Sequence, residues 1–560
     1  MSNSNSKNRF GFSRRHALLS ATAGVTGMAG ASSSADAATV QSARASCSTP
    51  PSAVAKTRYG KVRGYVDDGV LTFKGVPYGA NTGGANRWLP AKPPVAWEGE
   101  YPALIYGANC PQRLHSWTSE QSFLFQWTDG WQSEDMLKLN IWTPSLTGKR
   151  PVMFYMHGGG FTFGSAYELA SQDGAQMARH HDVVSVTVNH RLNSLGFLDV
   201  STIGGPEYAD SVNVGMTDLV AALRWVQENI ANFGGDPGCV MIYGQSGGGS
   251  KVTTLLGMPS AEGLIQRASA QSGGGGNPPG IEESREYAKR VIAELGVTDM
   301  AALQKMEWAR LNEVSNAVAA KMNPPMGSGG PTPAPGTARP RVGAGPTVDG
   351  RLITMRSFYD AAPEISKNVP LLFGSVSEEG NSMLSRPTEA EWLATLTRNY
   401  GEAKAQALVA GLKKAHPQKS IRTLSYMCGA SGLNSLNMRN NVTRMATMKY
   451  NQKGAAAYTW YFSWQSPMLE DAGAWHTAEL AFCFDNTRRC DQGTGNGPEA
   501  QALAKKMATA WANFARKGDP SQPGLKWEPF EPARGRTMVF GNNCRMADDP
   551  EAEVRKILLS

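Results

Sequence analysis

The sequence predicts an α/β domain with a largely parallel sheet, because apolar runs typical of buried strands alternate with helical periodicity. Residues 182–188 and 239–243 are continuous apolar runs, as expected for strands buried on both faces. Between them, apolar residues recur at helical spacing from Leu219 to Phe233, and Gly234 follows as a helix-ending residue. This alternation favours parallel pairing, with functional groups at the carboxyl ends of the strands.

The same pattern continues on both sides of a long segment rich in proline and glycine, residues 323–346. Three more strand-like runs cover residues 151–156, 369–373 and 457–462. We therefore interpret residues 323–346 as a loop inserted into one domain over residues 55–560, rather than as a linker between two domains. The hydrophobic content of 41% is sufficient for a large core.

The first 37 residues have the layout of a bacterial signal peptide of the twin-arginine type. Arg14 and Arg15 precede a mildly apolar stretch, and Ala35-Asp36-Ala37 provides the small residues of a cleavage site. Residues 1–37 thus predict export through the twin-arginine machinery to a periplasmic or extracellular location, with residues 38–54 as a linker. The alternative is an N-terminal tail that contains Arg-Arg by chance.

Charge and hydropathy exclude two other classes of protein. The net charge is +8, or +5 without residues 1–37, and the sequence has no dense cluster of basic residues that would indicate nucleic-acid binding. No run of 18 apolar residues occurs, so no membrane-spanning helix is expected in the mature chain.

The seven cysteines have no paired spacing typical of a metal site, and no metal or cofactor is predicted. Export would permit disulfides. Cys483 and Cys490 are the closest pair in sequence and the best candidates for a bridge, although two inert buried thiols are nearly as plausible.

The segment Gly244-Gln245-Ser246-Gly247-Gly248 has the form G-x-S-x-G. It follows a buried strand and precedes a helix-like run, which is the context of a nucleophile elbow with Ser246 at its tip. A phosphate-binding loop is the alternative interpretation. It would require Gly-Lys-Ser/Thr, whereas the order here is Gly249-Ser250-Lys251.

A serine nucleophile needs a general base, and His476 is the best candidate among the eight histidines. It follows the last strong strand, as in the order serine, acid, histidine of α/β-hydrolases. The other histidines lie in the signal segment, beside a glycine run, near helix or strand ends, or in polar loops: His16, His115, His157, His180, His181, His190 and His416.

The acid that orients His476 should follow a strand between Ser246 and His476. Glu378 and Glu379 both meet this condition, and spacing does not separate them; Asp471 is a more distant candidate.

The glycine run in His157-Gly158-Gly159-Gly160-Phe161 follows a strand and leaves backbone N–H groups free to face a cleft. Together with the N–H of Gly247, it predicts an oxyanion hole. One such donor typically contributes about 2.7–4 kcal/mol of transition-state stabilisation.

These motifs together resemble the type-B carboxylesterases, which include para-nitrobenzyl esterases and cholinesterases. Residues 134–144, Glu-Asp-Met-Leu-Lys-Leu-Asn-Ile-Trp-Thr-Pro, are similar to the family signature E-D-C-L-x-L-N-I-x-x-P. The similarity covers nearly all of residues 55–550 and continues through residues 157–161, 189–192, 196–198, 232–237, 244–248, 346–350, 379–380 and 473–484.

The resemblance implies an α/β-hydrolase fold, with helices flanking a central, mostly parallel sheet and long loop insertions that form a gorge. It also implies that Glu379 is the acid, that Gly159 and Gly160 join Gly247 in the oxyanion hole, and that Ser246 forms an acyl-enzyme.

Three residues depart from the family pattern. Gln245 stands where relatives usually carry Glu, which weakens the case for cationic substrates. Met136 replaces a cysteine that often pairs with the equivalent of Cys110, so that bridge cannot form. Gly247 replaces a common Ala.

Residues 111–135 are unusually aromatic, with Trp117, Phe123, Phe125, Trp127 and Trp131. We interpret them as a mobile wall of the gorge that favours apolar or aromatic groups; ordinary core packing is the alternative. The predicted function is hydrolysis of apolar or aromatic carboxylic esters. The alternatives are a non-catalytic binding or adhesion protein, and an amide or carbamate hydrolase with the same triad.

Overall fold

The computed structural model of the protein describes residues 47–114, 120–323, 340–380, 386–429 and 434–560. The predicted signal peptide, residues 38–46 of the predicted linker, Trp117 and most of the proline-rich loop lie outside the described residues. No helix in the described ranges is both long and apolar enough to cross a membrane.

The central element is a sheet whose 12 described strands run in the order β1-β4-β5-β7-β9-β8-β10-β11-β12-β13-β14-β15, with β2, β3 and β6 in a small separate sheet. The strands are β1 (Cys47–Ser48), β2 (Val54–Thr57), β3 (Gly60–Arg63), β4 (Tyr65–Asp67), β5 (Val70–Pro77), β6 (Glu100–Pro102), β7 (Lys138–Thr143), β8 (Arg150–Met156), β9 (Val184–Val188), β10 (Gly235–Gln245), β11 (Arg267–Gln271), β12 (Leu371–Val376), β13 (Ala457–Phe462), β14 (Arg536–Phe540) and β15 (Arg545–Asp548).

The seven strands from β9 to β14 in this order are parallel, and antiparallel strands flank them at both edges. The predicted α/β class with a mostly parallel sheet is therefore confirmed. Each strand expected from an apolar run is present, although β9 begins at Val184 and β12 at Leu371.

Helices cover both faces of the sheet. They are α1 (Glu120–Phe125), α2 (Ala175–His181), α3 (Asn193–Gly196), α4 (Ser201–Gly204), α5 (Val214–Asn229), α6 (Gly247–Leu255), α7 (Ile281–Leu295), α8 (Met300–Lys305), α9 (Trp308–Met322), α10 (Glu389–Tyr400), α11 (Glu402–Ala415), α12 (Ile421–Met427), α13 (Ser435–Asn451), α14 (Leu480–Cys483), α15 (Asp491–Thr494), α16 (Pro498–Lys517) and α17 (Ala552–Leu559).

Alternate side chains of the central strands enter two different hydrophobic clusters. On β8 and β10, Phe154 and Ile242 join the cluster that includes α5, α6 and α13, whereas Tyr155 and Tyr243 join the cluster that includes α14 and α16. Because successive strand residues point to opposite faces, apolar residues in a row require a layer of helices on each face.

The seven cysteines, all within the described residues, are free thiols. The predicted Cys483–Cys490 bridge is therefore wrong. Cys483 lies in α14, where its sulfur is 3.7 Å from the amide nitrogen of Gln271 on β11, and Cys490 is buried separately just before α15. Burial raises the pKa of both thiols, that of Cys490 to about 12, so both fit the alternative of inert thiols.

A fully buried ion pair joins the loop after β9 to α5. Arg191 donates to Asp218 through Nε at 2.8 Å, through Nη2 at 2.6 Å and through its backbone N–H at 3.1 Å. Both side chains are at most 1% exposed. A charge left alone at such a position has neither water nor a counter-ion, so loss of either partner is costly.

We predict that Asp218→Asn lowers the free energy of unfolding by about 3–5 kcal/mol, because it leaves the Arg191 guanidinium buried without a counter-ion. Urea denaturation followed by tryptophan fluorescence measures this change. Glu286→Gln is the control, since it breaks the exposed pair with Arg290 on α7 and should not move the midpoint. Equal shifts for the two variants would contradict the prediction.

Candidate active site

Ser246 lies at the turn between β10 and α6 in a conformation that non-glycine residues rarely adopt, with φ 58° and ψ −120°. Its N–H donates to the carbonyl oxygen of Gln271 at 2.8 Å, which fixes the turn to the neighbouring strand β11. The residue is partly exposed. The strained turn thus presents the hydroxyl at the carboxyl end of the sheet, at the N-terminus of a helix.

His476 and Glu379 meet beside this turn, in the loops that follow β13 and β12. Nδ1 of His476 is hydrogen-bonded to the Glu379 carboxylate, which has no exposed side-chain surface. The carboxylate also accepts the N–H of Val376 at 3.1 Å, and the Glu379 N–H donates to the Ser435 hydroxyl at 2.8 Å. Because a carboxylate only accepts, the Nδ1 of His476 carries the proton and the neutral ring presents Nε2 as an acceptor.

Burial alone would lower the pKa of the His476 imidazole. The charge of Glu379 and its hydrogen bond outweigh burial and raise that pKa above the ordinary value of 6.5. The pair therefore stabilises an imidazolium, the form that a general base reaches after it takes a proton.

Glu378 points away from His476. Its carboxylate accepts from Lys419 Nζ at 2.5 Å, from the N–H of Ala474 at 2.7 Å and from the Ser377 hydroxyl. Its own N–H donates to the carbonyl oxygen of Ala474 at 3.1 Å. The structure thus separates the two glutamates that spacing could not: Glu379 contacts the imidazole, and Glu378 ties the two loops together.

Asp471, the third acid considered from the sequence, accepts the Thr423 hydroxyl at 3.4 Å. It is not among the hydrogen-bond partners of His476 in the described residues.

Gln245 contacts the other side of the imidazole. Its amide nitrogen is 3.1 Å from Nε2 of His476 and 3.4 Å from Nδ1. Within the described residues, the Ser246 hydroxyl makes no hydrogen bond to this ring. The Gln245 amide thus occupies the Nε2 lone pair that the Ser246 hydroxyl would use. The hydroxyl must replace the amide at Nε2 before a proton can be transferred. Such contacts are often loose before a substrate binds.

The glycine run after β8 packs directly against the Ser246 turn. Gly159 and Gly160 have φ values of 77° and 56°, in the left-handed region that favours glycine. A Cβ atom added to Gly247 would lie 2.5 Å from the backbone nitrogen of Gly160, and one added to Gly158 would lie 3.5 Å from Cβ of Ser246. Only a backbone without side chains can approach this closely.

Three N–H groups at this contact have no acceptor among the described residues: those of Gly159, Gly160 and Gly247. Three such N–H groups beside one serine form an arrangement suited to an anionic oxygen. These are the three residues expected for an oxyanion hole.

Four ionisable groups lie buried behind the glycine run, and the sequence analysis did not assign them a role. His157 and His190 stack with ring centroids 5.2 Å apart. Burial, and then the charge of Lys251, lowers the pKa of both imidazoles well below 6.5. Both rings therefore stay neutral. Lys251 and Glu168 are the other two groups and are also buried.

Glu479, three residues after His476, is a second carboxyl group beside the imidazole that sequence reasoning missed. It has no exposed surface, and it accepts from the amide of Gln271 at 3.2 Å. Burial and then the charge of Glu379 raise its pKa to about 7. Its spacing of three from a candidate histidine is the one signal that could have indicated it.

The aromatic segment contributes in part to the walls near the site. Trp127 packs at 6.1 Å from Phe163, which lies against Gly159. Phe125 is buried in the same cluster as Trp475, whereas Phe123 and Trp131 are 44% and 54% exposed.

The described residues contain no group of three or more histidine, cysteine, aspartate or glutamate side chains that could hold a metal ion.

Comparisons with known proteins agree with the motifs. Residues 51–557 match the sequence profile of the family described as Carboxylesterase family. The para-nitrobenzyl esterase of Bacillus subtilis (strain 168) is 28% identical over 90% of this chain and 98% of its own length. The fumonisin B1 esterase of Sphingopyxis macrogoltabida is 31% identical over 88% and 87%. The solved structure of a Clostridium hathewayi esterase, described as able to hydrolyse aliphatic aromatic polyesters, has 33% identity, covers 90% of this chain and 97% of its own, and gives a TM-score of 0.76.

We predict that Gln245→Glu raises the pKa of His476 further, because it adds a second carboxylate about 3 Å from the ring, and a nearby opposite charge favours the imidazolium. Titration of the histidine signals by NMR measures the shift, which should be about one pH unit or more. Gln501→Glu, on the exposed side of α16, makes the same change in net charge and should leave that pKa unchanged. An unaltered His476 in Gln245→Glu would mean that the two side chains do not meet in solution.

Proposed function

The chain belongs to the carboxylesterase family, and from this we propose that it is a serine carboxylic ester hydrolase that forms an acyl-enzyme on Ser246. His476 is the general base and acid, and Glu379 orients it. The observation that carries the proposal is the His476–Glu379 pair beside a serine on a strained turn that faces three free backbone N–H groups.

In the acylation step, the Ser246 hydroxyl oxygen attacks the ester carbonyl carbon while Nε2 of His476 takes the hydroxyl proton. The carbonyl oxygen becomes an oxyanion that accepts from the N–H groups of Gly159, Gly160 and Gly247. When the intermediate collapses, the bond to the alcohol oxygen breaks, and the alcohol leaves with the proton from His476.

In the deacylation step, a water molecule takes the place of the alcohol. His476 removes a proton from the water, the hydroxide oxygen attacks the acyl carbon, and the carboxylic acid leaves as Ser246 regains its proton. Glu379 holds the ring in one tautomer and stabilises its charged form. The raised pKa of His476 favours that charged form.

The surroundings of the serine support apolar or aromatic ester groups as substrates. Phe163 and Trp127 contribute aromatic surface beside the glycine run, and Gln245 places a neutral amide where a carboxylate would attract a cation. Amides and carbamates could use the same steps, and nothing at the site favours them. A non-catalytic binding role has no support, because serine, histidine and acid are all present.

We also propose export by the twin-arginine machinery, to the periplasm or the extracellular space. The arginine pair, the apolar stretch and the small residues at positions 35–37 support this proposal.

Ser246→Ala should reduce hydrolysis of a chromogenic short-chain aryl ester by about a millionfold, since it removes the nucleophile. His476→Ala should have a similar effect, and adding Glu379→Ala to either variant should cost little more, because the three groups act as a unit. The control is Ser250→Ala, four residues further along α6, which should keep normal turnover. Full activity of Ser246→Ala, or strictly additive losses, would refute the assignment.

Gly247→Ala should lower kcat about 10- to 100-fold and leave KM nearly unchanged, because the new methyl group would displace the N–H of Gly160. Steady-state kinetics on the same aryl ester measures both constants. Gly276→Ala is the control, since a Cβ atom there meets no atom within 4 Å. Unchanged kcat in Gly247→Ala would show that the glycine run moves aside without cost and that its packing is not part of the site.

A further inference from the structure

A lysine is buried directly beneath the glycine run. Lys251 lies on α6, five residues after Ser246, and has no exposed surface. Its Nζ donates to the carbonyl oxygen of His157 at 2.8 Å and to that of Gly158 at 3.3 Å. It also lies 5.4 Å from the ring centroid of Phe161. The ammonium head is therefore held by the same loop that presents the free N–H groups.

The two carbonyl groups determine where the neighbouring N–H groups point. In a trans peptide, the C=O of one residue and the N–H of the next lie in one plane and point in opposite directions. A donor that fixes the carbonyl oxygen of Gly158 therefore also fixes the N–H of Gly159. Lys251 contacts the carbonyl oxygen of this peptide group, so the N–H of Gly159 points away from Lys251.

The ionisable groups that face the ammonium are Glu168, His157 and His190. Burial lowers the pKa of Lys251 to about 7, and the charge of Glu168 opposes that shift. Burial also raises the pKa of Glu168 to about 7, although the amide of Gln172 at 2.8 Å and the N–H of Ser165 hydrogen-bond to its carboxylate. His157 and His190 stay neutral. Glu168 is thus the only acidic group in the described residues that supports the charge of Lys251.

We propose that Lys251 is a positioning residue of the oxyanion hole: by donating to the carbonyl oxygens of His157 and Gly158, it holds the N–H of Gly159 towards the substrate oxygen at Ser246. The positive charge also polarises the peptide group and strengthens its N–H as a donor. The inference rests on the proposed function of Ser246. It gives a reason for a buried cation at a position where an apolar side chain of equal length would avoid the cost of desolvation.

The first test compares Lys251→Met with Lys251→Gln. Met has similar length and no donor, whereas Gln keeps two N–H groups without the charge. Lys251→Met should lower kcat on an aryl ester about 10- to 100-fold with KM nearly unchanged, and Lys251→Gln should recover part of the loss. Unchanged kcat in a folded Lys251→Met variant overturns the proposal.

An inhibitor pair separates positioning from general damage to the pocket. The serine oxygen attacks the carbonyl carbon of an aryl trifluoromethyl ketone, and the carbonyl oxygen becomes an oxyanion. The matching methyl ketone binds mainly through its apolar groups. Lys251→Met should weaken the trifluoromethyl ketone by the same factor as kcat and leave the methyl ketone unchanged. Equal weakening of both inhibitors overturns the proposal, because it indicates a distorted pocket.

A third measurement tests the contact itself and also works on the wild-type chain alone. His157-Gly158 is the only His-Gly pair in the sequence. Labelling with carbonyl-13C histidine and 15N glycine therefore gives a single HNCO cross-peak, from the peptide whose carbonyl oxygen accepts from Lys251. We expect this peak to move with a midpoint near pH 7, and the movement to disappear in Lys251→Met and Lys251→Gln.

The outcomes of these measurements are distinct. If Lys251→Met does not fold, Lys251→Gln takes its place, and an unchanged kcat together with a cross-peak unmoved from its wild-type position in that variant overturns the proposal. If the wild-type protein has no esterase turnover but its cross-peak titrates, the proposed function fails and the lysine contact stands. Normal turnover in both wild type and Lys251→Met means that the positioning role alone fails.

Discussion

The whole site depends on one backbone contact that is too close for side chains. β8 and β10 are parallel neighbours, so the glycine run after β8 and the Ser246 turn after β10 emerge at the same edge of the sheet. The contact of Gly247 with Gly160 brings their free N–H groups together. The strand order then adds the remaining parts: β11 anchors the turn through Gln271, β12 is followed by Glu379, and β13 is followed by His476.

The second constraint is that this site is built among buried ionisable groups. Glu379, Glu479, Glu168 and Lys251 have little or no contact with solvent. In such surroundings a charge interacts strongly with its neighbours, because water does not screen it. The same burial moves the pKa of three of these groups to about 7. The protonation of the site is therefore set by burial as much as by pairs of charges, and each group's state depends on the others.

The sequence predicts the frame of this arrangement well and its contacts less well. Apolar runs locate the parallel strands, and the glycines around Ser246 identify the turn, because both follow from backbone requirements. Spacing did not separate Glu378 from Glu379, since adjacent residues after a strand can point in opposite directions and only packing decides. The Cys483–Cys490 bridge was wrong because closeness in sequence does not set the direction of two thiols.

Lys251, Glu168 and Glu479 escaped the sequence analysis for a related reason. A lone charged residue in a sequence is usually a solvated one, and burial results from contacts between distant segments. Lys251 is buried because the glycine run, almost one hundred residues earlier, crosses over α6. The free N–H groups were predictable because a run of glycines after a strand is visible in the sequence. Lys251 and Glu168, which lie behind that run, have no comparable sequence pattern.

The neutral side chain of Gln245 keeps the substrate side of the imidazole free of negative charge. The imidazole of His476 already has Glu379 on one side and Glu479 nearby. A carboxylate at position 245 would add a third acidic group, favour a protonated ring before reaction and repel the oxyanion that forms at Ser246. An amide instead donates to Nε2 of the neutral ring, which is the form that accepts a proton from serine. The site thus keeps its negative charge behind the histidine and leaves the face towards the substrate neutral, which suits uncharged esters.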